Sequence, residues 1–157
     1  ITFVQVDKIE GEGSGPGYSL LQCKPHLNCP FIFTACDTIV LENYPMPYWD
    51  WVGVDYVDET QEYLTLKTKG RRVDAFYDKV TYSPTNLAFI GVAGIKSYEL
   101  FWEGLCKPTL AKGEHQVTCG LEAIATKGLR TRVFTWFDTG TTEGYDDARR
   151  YFTALSN

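Results

Sequence analysis

Two short apolar runs limit most strongly what this chain can fold into: Phe31 to Cys36 (FIFTAC) and Leu87 to Ala93. Runs of this length without a regular polar alternation are typical of strands buried on both faces, so each side of their sheet must be covered. Helical periodicity supplies the cover. Ser97 to Leu105 sets Tyr98, Phe101, Trp102 and Leu105 at helical spacing behind a serine suited to the N-cap. Val117 to Thr126 is a second helix, closed by Gly128. Thr142 to Leu155 is a third, amphipathic, with Thr142 as its cap. Tyr18 to Cys23 reads as a short helix ended by Pro25 and Asn28-Cys29-Pro30. Trp51 to Tyr56, Tyr63 to Lys67 and Val73 to Tyr77 are short strands, the last two joined through Lys69-Gly70, and Ile1 to Ile9 and Leu129 to Trp136 alternate as strands too. Strands and helices thus alternate around a β-rich middle. The fold class is α/β, three layers with a mixed central sheet, in one domain over residues 1–157.

Charge and composition exclude several functions. A net charge of −5 and a pI near 5.0 argue against a nucleic-acid surface, which needs clustered Lys and Arg. The one basic cluster, Lys67 to Arg72, surrounds Gly70 and reads as a solvated hairpin turn. No apolar run approaches the ~20 residues that span a bilayer. The five cysteines (Cys23, Cys29, Cys36, Cys106 and Cys119) are an odd number with no CxxC pair, which reads as free thiols in a reducing cytoplasm and not as a zinc site. Cys36 reads as a small buried residue and His115 as a surface histidine. Because the strand pattern begins at Ile1, the domain is expected to be incomplete at its N-terminus. Its exposed edge would then be covered by a second chain carrying the missing segment, or by a homo-oligomer.

Ligands of open α/β sheets bind beyond the carboxyl ends of the strands. Asp37 follows FIFTAC and Asp138 follows VFTWF, so both stand at such ends. Two carboxylates brought together there, facing phosphate oxygens, would hold a hard cation such as Mg²⁺. Either aspartate alone could equally be a turn or cap residue.

The surrounding residues favour the paired reading. Trp136-Phe137-Asp138-Thr139-Gly140-Thr141, with Tyr145 and Ala148 after it, resembles the "W-x-D-x-G-T" segment of the sugar-1-phosphate nucleotidyltransferases. In the same order along the chain, GPGYSLLQCKPHL, PFIFTACDTIV, GRRVDAFYDKV, LAFIGVAGIKSYELF and GEHQVTCGLEAIATKG are similar to further segments of that family. The resemblance covers nearly the whole chain and implies a Rossmann-like α/β/α domain. It also implies nucleotidyl transfer from a nucleoside triphosphate to a sugar-1-phosphate, with Mg²⁺ as cofactor. By the same resemblance Asp37 and Asp138 would hold the metal, and Lys79 would contact the phosphate of the sugar-1-phosphate. Asp78 stands where the family has a glutamate for sugar hydroxyls, Gly15 would admit the nucleobase, and Asn86, Gly91 and Glu114 would line or flank the sugar pocket. The departures are Cys36 for the glycine before the first aspartate, Val80 for a proline after Lys79, and Cys119 for an aspartate after Thr118. The family's opening "G-G-x-G-T-R" loop, which wraps the triphosphate, has no counterpart in EGEGSGPG, so this stretch alone is expected to be a poor catalyst. Two other readings remain open: a glycosyltransferase of the related nucleotide-sugar-binding fold, and a non-catalytic homologue that senses nucleotide sugars.

Overall fold

Leu87–Ile95 is the longest strand, and being apolar at nearly every position it must be covered on both faces. The structure, a computed structural model, describes residues 1–108 and 110–156. In chain order the elements are α1 (Pro16–Leu21), β1 (Phe31–Thr34), β2 (Thr38–Val40), β3 (Trp51–Tyr56), β4 (Leu64–Lys69), β5 (Arg72–Asp78), β6 (Leu87–Ile95), α2 (Tyr98–Leu105), β7 (Leu110–Ala111), β8 (Glu114–His115), α3 (Thr118–Ala125), β9 (Arg130–Val133), β10 (Trp136–Asp138) and α4 (Thr142–Leu155). The main sheet runs β1-β6-β3-β9-β5-β4, with β4 also touching β6 through Thr65 and Ala88. Among the described residues the β3–β9 pairing is parallel and the others in this sheet antiparallel, so the sheet is mixed.

Period-2 alternation sorts the strand residues between two apolar layers. Phe31, Val52, Val54, Phe89, Ala93 and Ile95 point to one face, where Phe101, Trp102 and Leu105 of α2 and Leu121 and Ile124 of α3 cover them. Trp51, Ile90 and Val92 point to the other, joined by Phe134 and half-buried Ile32, Val40 and Trp136. Each large side chain so buried contributes about 1.5–3 kcal/mol. A Cβ at position 94 would collide with the indole of Trp51, so the glycine there is what lets that ring lie across β6. The second face carries the β2–β10 ribbon, an antiparallel pair from Trp136–Val40 to Asp138–Thr38. Helix α4 packs on this ribbon through Phe137, which meets Tyr151 and Phe152 at ring-centroid distances of 5.2 and 6.1 Å.

Several local expectations are corrected. Residues Ile1 to Ile9 form no strand among the described elements, and Ile1, Phe3 and Ile9 are exposed; alternation alone does not make a strand without a neighbour to pair with. The strand read over Leu129 to Trp136 is two, β9 and β10. The chain breaks at Thr135, whose amide and hydroxyl donate to the Glu42 carboxylate at 2.8–3.0 Å, outbidding a ladder partner. Helix α4 is capped by Thr141, whose hydroxyl accepts from the Gly144 amide at 3.1 Å, and not by Thr142. Ser97 makes no side-chain cap bond to α2. It gives its hydroxyl to buried Asp50, which also accepts from the amides of Lys96 and Ser97 at 2.7 and 2.9 Å. Cys36 is exposed and His115 is buried, the reverse of both readings, because the chain turns out to solvent after β1 while β8 tucks beneath α1. None of the five cysteines is in a disulfide. Among the described residues no helix is long and apolar enough to cross a membrane.

Candidate active site

The turn after β1 is built by hydrogen bonds to β6. The Ala35 amide donates to the Gly91 carbonyl at 2.8 Å, and the Thr38 hydroxyl donates to the Ile90 carbonyl at 2.6 Å. Asp37 is thereby held between β1 and β2. Asp138 ends β10, directly opposite Thr38 in the ribbon. The two loops are then stitched together, since the Thr139 amide and hydroxyl donate to the Asp37 carbonyl at 2.8 and 2.9 Å. Gly140 completes the arrangement. A Cβ placed on it would lie 3.1 Å from Asp37 Oδ2 and 3.2 Å from Asp138 Oδ1, so these oxygens are no further apart than those two distances laid end to end. The bare glycine leaves a small cradle between two hard oxygen donors, a donor set suited to Mg²⁺. No group of three or more His, Cys, Asp or Glu able to hold a metal occurs among the described residues. A cation seated here would have two carboxylates from the described residues, and Mg²⁺ commonly takes its other ligands from substrate phosphates and water.

Lys79 follows β5 with φ of 48°, a left-handed conformation uncommon for a residue with a Cβ and concentrated at functional sites. Its amide donates to the Tyr63 carbonyl at 3.2 Å. Its ammonium lies 3.5 Å from Glu114 Oε2, which also accepts from Gln116 Nε2 at 2.7 Å. Asp78 accepts from the Thr118 hydroxyl at the start of α3.

A cleft of about 720 Å³ joins these groups. Asp37, Asp138, Lys79, Asp78 and Gly91 all line it, together with Tyr63, Gln116, Thr118 and Trp136. Gly91 adopts φ of 80°, and a Cβ there would meet Thr38 Oγ1 at 2.8 Å and Ala35 Cβ at 2.9 Å, so the glycine is required by the chain's own turn before any ligand is considered. Three of the residues picked from sequence are not among those lining the cleft. Gly15 precedes α1 with φ of 125°, its missing Cβ allowing close approach to the His115 carbonyl. Glu114 reaches the cleft through Lys79. Asn86 is exposed, and its carbonyl accepts from the Val57 amide at 3.0 Å. A separate 630 Å³ groove between β5 and α3, lined by Lys69, Arg72, Asp74 and Glu122, contains none of the residues picked.

Sequence reasoning missed Tyr63 and gave Trp136 no role. The Tyr63 hydroxyl donates to Asp138 Oδ2 at 2.8 Å, and its ring meets Trp136 edge-on at 5.8 Å. Burial, followed by the hydrogen bond and the negative charge of Asp138, pushes the Tyr63 phenol up to about 12. The Trp136 indole N–H is buried with no hydrogen-bond partner among the described residues. Burial pushes the His115 imidazole below its ordinary value, with a backbone bond to Leu105 acting weakly the other way. No local motif signals Tyr63, because its partner lies 75 residues away.

No protein-family profile and no curated protein matches the chain. Solved structures do match its fold. It is similar to UDP-glucose pyrophosphorylase complexed with UDP-glucose, with a TM-score of 0.75 and 20% identity over 93% of this chain and 64% of that one. It is also similar to a candidate glucose-1-phosphate thymidylyltransferase from Bacillus anthracis, with a TM-score of 0.72 and 16% identity over 90% of this chain and 62% of the other. UTP-bound UGPase from Acinetobacter baumannii matches with a TM-score of 0.65 and 15% identity over 88% and 56% of the two chains. The mixed α/β fold is thus the Rossmann-like one of these proteins, and this chain spans under two thirds of their length.

Proposed function

We propose that this chain is the sugar-phosphate and metal-binding portion of a sugar-1-phosphate nucleotidyltransferase. The observation that carries the reading is the convergence of Asp37, Asp138 and Lys79 on one cleft from three separate parts of the chain. The likeness to structures that hold UDP-glucose and UTP supports it. In the reaction, a phosphate oxygen of the sugar-1-phosphate attacks the α-phosphorus of a nucleoside triphosphate. The bond to pyrophosphate breaks, and a nucleoside-diphosphate sugar is released. Asp37 and Asp138 would hold Mg²⁺, which would supply charge neutralisation to the phosphates. Lys79 steers the attacking phosphate as a point charge on a flexible stem, released from Glu114 when the stronger anion arrives. Asp78, buttressed by Thr118, faces the sugar hydroxyls, and Gly91 lines the same cleft. No covalent intermediate is needed, since alignment and charge stabilisation lower the barrier.

The glycosyltransferase reading is disfavoured by the ribbon. Such enzymes use an Asp-x-Asp pair, whereas the residue two after Asp37 is Ile39, paired with Phe137. The test is pyrophosphate release by the complete protein with a panel of triphosphates and sugar phosphates. Asp138→Asn should cut turnover strongly with only partial rescue by extra Mg²⁺. Lys79→Ala should weaken the sugar phosphate about ten- to a hundred-fold, the loss of one charge-assisted contact, and leave the triphosphate nearly unchanged. Unaltered pyrophosphate release in both variants would sink the reading. Tight nucleotide-sugar binding without release would establish the sensor instead.

A further inference from the structure

Asp138 must present a particular oxygen to the cradle at Gly140, yet nothing intrinsic to an aspartate fixes which. Rotation about the bond to its carboxylate is broad and roughly two-fold, so an unrestrained group exchanges its oxygens and swings. Here Oδ1 accepts from the Gly140 amide at 3.0 Å and borders the same cradle at Gly140 as Asp37 Oδ2, while Oδ2 accepts from the Tyr63 hydroxyl at 2.8 Å. The tyrosine is itself immobilised. Its ring stands edge-on against Trp136, two residues before Asp138 on the same strand, and its carbonyl accepts from the Lys79 amide. It precedes β4 just where Leu64 pairs with Asp78, so β4 and β5 hold it at the cleft wall.

We infer that Tyr63 is a positioning residue: by occupying Asp138 Oδ2 it leaves Oδ1 at the Gly140 cradle that Asp37 Oδ2 also borders, and keeps the two carboxylates set for one divalent cation. The inference rests on the reading of Asp37 and Asp138 as cation ligands. Tyr63 acts through Asp138, and its ring could be replaced by phenylalanine without opening a void, so the hydroxyl can be tested alone.

The experiment measures Mn²⁺ uptake by the complete protein from the electron paramagnetic resonance signal of the free ion, with melting followed separately in EDTA. The variants are Tyr63→Phe, Tyr63→Leu and Asp138→Asn. Partners that orient metal ligands typically change affinity by about ten- to a hundred-fold when removed. Tyr63→Phe should therefore weaken Mn²⁺ by roughly tenfold or more while its melting temperature in EDTA stays close to that of the parent. Tyr63→Leu should be no weaker for Mn²⁺ than the Phe variant. Equal or tighter Mn²⁺ binding by Tyr63→Phe, beside a clear loss in Asp138→Asn, overturns the inference and leaves the cation reading standing. A loss confined to Tyr63→Leu also overturns it, because ring packing and not the hydroxyl would be acting. Failure of the parent chain to take up Mn²⁺ better than Asp138→Asn removes the cation reading and the inference together.

Discussion

Replacing Gly91 by alanine tests the turn that carries Asp37, and Gly70 provides an internal control. Both glycines have positive φ, 80° and 60°. An alanine forced into that region costs about 1–2 kcal/mol, and the lower entropy of its unfolded chain offsets this by under about 1 kcal/mol at both positions alike. At Gly70 nothing lies within 4 Å of an added Cβ, so that conformational cost is the whole effect. At Gly91 the same Cβ meets Thr38 Oγ1 at 2.8 Å and Ala35 Cβ at 2.9 Å, both in a turn pinned by main-chain bonds. Crowding of this kind adds about 1–3 kcal/mol. Gly91→Ala should thus lose about 1–3 kcal/mol more than Gly70→Ala, measured by urea unfolding of the two variants side by side. At about 2–4 °C per kcal/mol for a chain of this size, the melting temperatures should separate by several degrees. Equal losses would refute the packing argument and show that only backbone conformation matters at Gly91.

Asp50→Ala removes three hydrogen bonds, leaving the amides of Lys96 and Ser97 without their acceptor at the entry to α2, and should cost about 3 kcal/mol in chemical unfolding; a loss under about 1 kcal/mol would mean that water replaces the carboxylate. The depressed imidazole of His115 binds its proton more weakly folded than unfolded, so its contribution to stability is complete above about pH 6.5 and is lost as pH falls through the lowered value. Unfolding midpoints compared between pH 7.5 and 5 should therefore fall more steeply for the parent than for His115→Asn, and parallel slopes would contradict the assignment.

How much of this was legible in the sequence depended on how far each residue's partner lies from it. The strands β3, β5 and β6 and the helices α2 and α3 follow from periodicity that a short window contains. Asp37 and Asp138 were legible as strand-end carboxylates, because the apolar runs before them mark where the strands stop. The failures share one cause. Ile1 to Ile9 alternates correctly but has no neighbour, and β2 is three residues long and exists only because β10 pairs with it. Thr135 breaks a strand because of Glu42, 93 residues away. Ser97 reads as a cap by its type, yet its hydroxyl goes to Asp50, 47 residues distant. His115 carries a surface residue's label, and only the packing of α1 over β8 buries it.

The stitch between Thr139 and the Asp37 carbonyl joins residues 102 apart, and that separation sets a schedule for the molecule's birth. A ribosome adding roughly 5–20 residues per second leaves the nascent chain about 5–20 s between the emergence of the first aspartate and that of the second. During that interval the turn after β1 has its β6 anchors only late and its ribbon partner not at all. The first aspartate must wait, solvated and uncommitted, until β10 arrives. A stall or premature stop before Trp136 would release a product whose sheet is largely present but whose second carboxylate never arrives.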